Sequence, residues 1–125
     1  MRTAALLAVL TVPPAAFADI VDIKWVDRAF SHRVSIAPKK FLEICGKQRI
    51  GDSVAWQFKG SAATDFNIHY HAGKEVSYPE NRKDIASADG MFSAPLDQDY
   101  CWMWSNRSMQ PVDIEISLEQ AKPGN

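Results

Sequence analysis

Hydrophobic and polar residues alternate with a period of two along most of the chain. The segment Ser53 to Lys59 places Val54, Trp56 and Phe58 on one face and small or polar residues on the other. Because successive side chains of a β-strand point to opposite faces, this pattern predicts a strand with one buried face. It also assigns Trp56 to the protein core.

The same alternation is clear in segments 66–71 and 112–119. The first of these sets three apolar residues against three polar ones: Phe66, Ile68 and Tyr70 against Asn67, His69 and His71. Weaker strand signals occupy five shorter segments: Ile20 to Val26, Arg33 to Ala37, Lys40 to Ile44, Glu75 to Tyr78 and Met91 to Ala94. Turn-forming residues separate these segments at 51–52, 59–61, 72–74, 79–81 and 95–97.

Seven to nine short strands at this spacing, with no helical stripe among them, predict an all-β fold. The arrangement that they favour is an antiparallel β-sandwich formed by one domain, residues 19–125. The polar stretch Glu80 to Gly90 is predicted to be a long loop or to carry a helical turn.

The first eighteen residues have the pattern of a secretory signal peptide. Arg2 supplies a positive start, Ala4 to Val12 is an uncharged apolar run, and Ala16-Phe17-Ala18 is a small-x-small cleavage site. The run is too short to span a bilayer, which needs roughly 20 residues. We therefore expect residues 1–18 to be removed and the mature chain to be periplasmic or extracellular, with no transmembrane segment.

Charge excludes one class of partner. Removal of Arg2 reduces the 14 basic side chains to 13, against 15 acidic ones. A net charge of about −2 without a basic cluster argues against nucleic acid. The partner is expected to be a protein or a small ligand, and its identity stays open.

Only two cysteines are present, Cys45 and Cys101. In an exported chain they are expected to form a disulfide, because the compartment is oxidising and neither residue lies in a metal-binding or redox motif. In the chain-entropy model, closing a loop of this length stabilises the fold by roughly 4 kcal/mol.

The segment 100–105 is apolar on both faces. Tyr100, Trp102 and Trp104 share one face, and Cys101 and Met103 share the other. Such a strand is either covered on both sides by the protein or has one face that meets a partner. The aromatic face is therefore a candidate ligand or partner face, since aromatic side chains are enriched at interfaces. Asn106 is expected to end the strand through hydrogen bonds of its side chain.

Cys45, Trp56 and Cys101 also suggest an immunoglobulin fold. In that fold, however, a tyrosine lies two residues before the second cysteine, whereas Tyr100 is adjacent to Cys101 and points to the opposite face. Another pattern fits better and consists of four segments: Ile50 to Phe58, Asp65 to Ile68, Phe92 to Pro95 and Tyr100 to Asn106. With these landmarks the chain resembles a GOLD domain, the β-sandwich in the lumenal part of cargo receptors that cycle between endoplasmic reticulum and Golgi.

The resemblance covers roughly Phe41 to Leu118. It implies a jelly-roll or GOLD-like sandwich that works as a binding or adaptor module, here in a stand-alone exported form without catalytic residues. The chain departs from the family at Met103, where those receptors usually place the second cysteine. We also expect it to lack their coiled coil and membrane helix. Their trafficking role is therefore not carried over.

His69 and His71 form the one pattern that suggests metal chemistry. On a strand, residues i and i+2 share a face with Cβ atoms about 7 Å apart, which allows two imidazoles to bind one ion. Copper, nickel or zinc would be the candidate ions, with a third ligand drawn from this set: His32, Asn67, Met103 or Met109. The competing interpretation is that both histidines simply face solvent on an amphipathic strand.

No sequence feature indicates catalysis. The serines lie outside any nucleophile motif, and no pair of carboxylates stands apart from the surface acids. The sequence therefore predicts a non-enzymatic exported binding module that needs no cofactor. The alternative is an extracytoplasmic metal-binding protein that uses His69 and His71.

Overall fold

The computed structural model describes residues 19–122, and in that range the chain is all-β. Its strands are β1 (Asp19–Asp22), β2 (Ala29–Ile36), β3 (Phe41–Gln48), β4 (Ser53–Ala72), β5 (Glu75–Ser93), β6 (Gln98–Ser105) and β7 (Val112–Gln120). The described residues include no helix that could cross a membrane. The expected signal peptide, residues 1–18, lies outside the described part of the chain.

The strands form one curled sheet in the order β1-β3-β6-β4-β7-β2, with β5 along the other side of β4. Residues 65–69 of β4 pair with β6, and residues 54–60 pair with β7. The sheet thus has two wings. The first wing contains β1, β3, β6 and the second half of β4, and the second wing contains β2, β7 and the first half of β4. Five of the six pairings are antiparallel, but β1 and β3 are parallel, which corrects the purely antiparallel expectation.

A bend in β4 connects the wings. Between the pairs Lys59–Ser87 and Thr64–Ile85, residues 60–63 of β4 lie opposite Ala86 alone. Gly60 permits this bend, because a Cβ there would meet the carbonyl oxygen of Ala62 at 2.9 Å. The turn predicted at 59–61 is therefore wrong, since the strand changes direction through extra residues and continues.

The stretch Glu80 to Gly90, predicted to be a loop or helical turn, belongs to β5. It has no clear apolar alternation because most of its side chains are exposed and its pairing with β4 uses the backbone. One irregularity lies at Asp84, whose φ is 54°. The carboxylate of Asp65 accepts the Asp84 N–H at 2.9 Å and holds this distortion in place.

The two wings enclose one aromatic core. Phe58 of the second wing contacts Phe66 and Trp104 of the first, with ring centroids 4.8 Å and 5.6 Å apart. The predicted core positions of β4 are confirmed, since Trp56 is 2% exposed. The face formed by Tyr100, Trp102 and Trp104 points into this core and is at most 1% exposed. These three side chains are therefore unavailable to a partner, because Phe58 of the second wing packs against Trp104, and Phe92 of β5 packs against Tyr100 and Trp102.

Asn106 follows β6 and closes the adjoining loop, as predicted. Its side-chain nitrogen donates to the carbonyls of Ile36, Ala37 and Gln110. Its side-chain oxygen accepts from the backbone N–H of Ser108. Because Asn106 is 1% exposed, these bonds supply the partners that a buried amide needs.

Candidate functional site

The outer face of the first wing carries the only buried histidine of the described chain. Strand register places Cys45 opposite Cys101 and Cys101 opposite His69. One row further along, Glu43 and Asn67 flank Met103. The two cysteines are joined by a disulfide, as the sequence predicts. The disulfide and the surrounding side chains cover His69, so a position expected at the surface is enclosed.

Both ring nitrogens of His69 have partners. Nδ1 lies 2.7 Å from the side-chain oxygen of Asn67, and Nε2 lies 3.1 Å from a carboxylate oxygen of Glu43. His69 is 4% exposed, whereas His71 is exposed. We refer to His69, Glu43 and Asn67 as the His69 cluster.

The cluster holds its histidine neutral near pH 7. Burial lowers the pKa of His69; the Glu43 carboxylate opposes this effect, and His71 adds to it. The neutral ring carries one proton, and Nε2 must carry it because the carboxylate of Glu43 can only accept. The contact with Glu43 is then a hydrogen bond. Nδ1 accepts a hydrogen bond from Asn67 once the side-chain amide of Asn67 is flipped by about 180°, so that its nitrogen faces the ring.

This geometry does not favour the predicted metal pair. The rings of His69 and His71 are 5.4 Å apart, but both nitrogens of His69 already contact other side chains. The ligand atoms that do converge belong to Glu43, His69 and Cys101, within 4.8 Å of one another. Cys101 is bonded to Cys45 and supplies no thiolate in this state.

Of the four proposed third ligands, Asn67 lies beside His69, where it already contacts Nδ1, and two others are remote. His32 lies on β2 in the second wing, where it stacks on Phe30 at 6.2 Å. Met109 lies in a loop and is 73% exposed. Met103 does lie beside the cluster, between Glu43 and Asn67. Copper or zinc binding by His69 and His71 therefore stays a prediction without geometric support.

A second feature adjoins the cluster at the end of the β4–β5 hairpin. His71 pairs directly with Val76, and the ring of Tyr78 lies 5.9 Å from that of His69. Tyr78 is 52% exposed and Val76 is 38% exposed. We name His71, Val76 and Tyr78 the hairpin-tip surface. It extends past the last β4–β6 pair, His69 with Cys101.

Sequence reasoning found the histidines but missed Glu43 and Tyr78. Glu43 meets His69 only because β3 and β4 both lie beside β6, a pairing that no local pattern shows. Tyr78 was placed in a weak strand without a face. The available signal was that Tyr78 lies two residues after Val76. Residues i and i+2 of a strand share a face, so both side chains could have been assigned to one surface.

No protein-family model matches the sequence, and no curated protein matches it. Solved structures do match its fold. The periplasmic inhibitor of g-type lysozyme PliG from Aeromonas hydrophila is 12% identical, with a TM-score of 0.62 over 82% of this chain and 96% of that one. PliG from Salmonella Typhimurium is 12% identical, with a TM-score of 0.58 over 82% and 98%.

A third similar structure is the pre-peptidase C-terminal domain of a collagenase from Bacillus anthracis. It is 9% identical, with a TM-score of 0.60 over 87% of this chain and 99% of that domain. At such low identities, these likenesses concern the fold alone.

Proposed function

We propose that this protein is an exported, non-enzymatic module that binds a protein partner. The proposal is supported by a fold shared with PliG, a periplasmic protein that inhibits g-type lysozyme. The Cys45–Cys101 disulfide supports export, since disulfides persist in oxidising compartments. We take a g-type lysozyme as the first partner to test.

The hairpin-tip surface is the observation that carries this proposal. Tyr78 is the one aromatic residue among the exposed large hydrophobic side chains of residues 19–122, while the aromatic face of β6 is buried. Tyrosine at the centre of an interface often contributes a large share of the binding free energy. Val76 and the imidazole of His71 extend the contact area beside it. The partner is therefore expected to bury Tyr78.

We also propose a specific type of β-sandwich for the fold. The two wings correspond to the two sheets of a jelly-roll or GOLD-like β-sandwich, as five antiparallel pairings and one shared core support. The parallel pairing of β1 with β3 departs from that scheme. Membership of the GOLD family stays a prediction from the sequence landmarks.

Titration of a g-type lysozyme with the mature chain tests the function. We expect a saturable loss of lytic activity and a complex of measurable Kd. Tyr78→Ala should weaken that complex by about 2 kcal/mol, roughly thirtyfold in Kd, which is the range of an interface hot spot. Isothermal titration calorimetry measures the Kd of each variant.

Met91→Ala is the matched control, because Met91 lies on the same strand and is 61% exposed. It should leave the Kd unchanged. Undiminished lytic activity at a large excess of the chain would refute g-type lysozyme as the partner. If Tyr78→Ala and Met91→Ala bind equally well, the hairpin-tip surface is not the interface.

A further inference from the structure

A cleft of about 300 Å³ lies where both wings end, away from the bend in β4. It is lined by the end of β3, the start of β4 and the end of β7, with Arg28 from the segment before β2. Its volume is at the lower end of the range for small-molecule sites. The hairpin tip lies at the same end of the molecule, because β4 begins and ends there.

Gln48 in the wall of this cleft is the unusual residue. It is 1% exposed and lies on the inward face of β3, where Leu42 and Ile44 are also buried. Neither its side-chain nitrogen nor its side-chain oxygen has a hydrogen-bond partner among the described residues. A buried amide without partners costs free energy, and native structures contain few such groups.

Several of the groups that line the cleft beside Gln48 already have partners of their own. The N–H groups of Gly51 and Asp52 donate to the carbonyls of Ala94 and Arg49. The Ser53 hydroxyl bonds to that of Ser93 at 3.0 Å. Gln48 thus lines the cleft with a buried amide that can still donate and accept hydrogen bonds.

The charges of the lining favour an anion. Arg28 and Lys122 both line the cleft, and within residues 19–122 neither takes part in an ion pair. Asp52 is the only acidic lining residue, and its carboxylate accepts the Arg49 N–H at 2.8 Å. Two cations thus oppose one acid, and the carboxylate of that acid already accepts a hydrogen bond.

We propose that this cleft binds a small carboxylate that also carries an amide or hydroxyl group. Arg28 and Lys122 hold the carboxylate, since a guanidinium matches its two oxygens. The amide of Gln48 turns into the cleft and bonds to the second polar group of the ligand, to which it can both donate and accept. This site goes beyond the protein-binding function and does not depend on it.

The test uses three probes at millimolar concentration: N-acetylglycine, its neutral amide N-acetylglycinamide, and acetate. N-acetylglycine should shift the side-chain NH₂ signals of Gln48 in a saturable way, with an affinity about tenfold higher than either of the other probes, because each lacks one of the two recognised groups. The side-chain NH₂ signals of Gln48 are assigned by comparison with the spectrum of Gln48→Met, in which they are absent.

Three variants separate recognition from folding. Arg28→Gln should weaken N-acetylglycine binding about tenfold, whereas Lys47→Gln, which removes an exposed lysine outside the lining, should not change it. Gln48→Met should abolish the preference for N-acetylglycine over acetate while keeping or raising the thermal midpoint, because it replaces an unpaired amide with an apolar group of similar size.

Three results would each overturn the proposal. The first is a response to N-acetylglycine no larger than the response to N-acetylglycinamide. The second is equal binding of N-acetylglycine by Arg28→Gln and Lys47→Gln. The third is a marked loss of stability in Gln48→Met, which would mean that the amide already has partners within the folded protein.

Discussion

At the scale of single residues, burial decides the chemistry of His69. Its position on the outer face of the first wing would normally expose it, but Tyr78, His71 and Glu43 pack around the ring. Burial lowers the pKa of His69, since the charged imidazolium is disfavoured away from water. The ring consequently stays neutral at a pH where a free histidine begins to take up a proton.

This shift predicts acid sensitivity. Because the pKa of His69 is lower in the folded state, the unfolded chain binds the proton more readily, and the free energy of unfolding falls as pH drops below about 6.5. His69→Gln should lose less stability than the wild type between about pH 7.5 and pH 5. Urea unfolding at each pH measures the difference. His71→Gln should keep most of the wild-type slope, and equal slopes in wild type and His69→Gln would contradict the prediction.

At the scale of elements, β5 is a 19-residue strand that depends on β4 for its pairing. Gly90 lies directly opposite Trp56, and the indole ring packs against its backbone. A Cβ at Gly90 would lie 2.5 Å from Cζ2 of Trp56. A glycine in a strand commonly marks such a close approach, and here it gives the buried indole its space.

Gly90→Ala should therefore destabilise the protein by about 1–3 kcal/mol, the usual cost of overpacking a core. The ring of Trp56 is 2% exposed and cannot move into solvent without opening the core. Midpoints of urea unfolding measure the change. Asp89→Ala, at the exposed neighbouring position, should stay within about 0.5 kcal/mol of the wild type. Equal midpoints in the two variants would show that the core accommodates the extra methyl group.

At the scale of the whole molecule, the bend at residues 60–63 turns one sheet into two wings with a common core. Phe58 precedes the bend and packs against Phe66, which follows it, and against Trp104 of β6. The wings therefore share their buried surface, and neither has a separate core. Such a molecule is expected to unfold as one cooperative unit.

Phe58→Ala should cost about 3–5 kcal/mol, as expected for a buried phenylalanine. Tryptophan fluorescence, which reports the shared core, and far-UV circular dichroism, which reports the strands, should show the same shifted midpoint. Lys59→Ala, at the exposed position beside it, should leave both midpoints in place. Two separated transitions in Phe58→Ala would show that the wings unfold independently.

The sequence by itself determined part of the local structure. Alternation identified the buried face of Ser53 to Lys59, because a strand repeats every two residues wherever it lies. The disulfide was predicted because the chain has only two cysteines and neither lies in a metal-binding or redox motif. Asn106 was correctly assigned to the end of β6. Each of these inferences depends only on residues that are neighbours in the sequence or on the number of cysteines.

Only the tertiary structure decided what covers each face. Alternation separates Tyr100 from Cys101 but cannot say that Phe92 of β5 packs against the tyrosine, or that Glu43 approaches His69 from β3. The bend at residues 60–63, the edge strand β5 and the cleft beside Gln48 depend in the same way on contacts between distant segments. The physical reason is that a strand forms its hydrogen bonds with strands that are remote in sequence, and its buried face packs against residues that are also remote. A local pattern therefore shows which residues share a face, but it does not show what lies against that face.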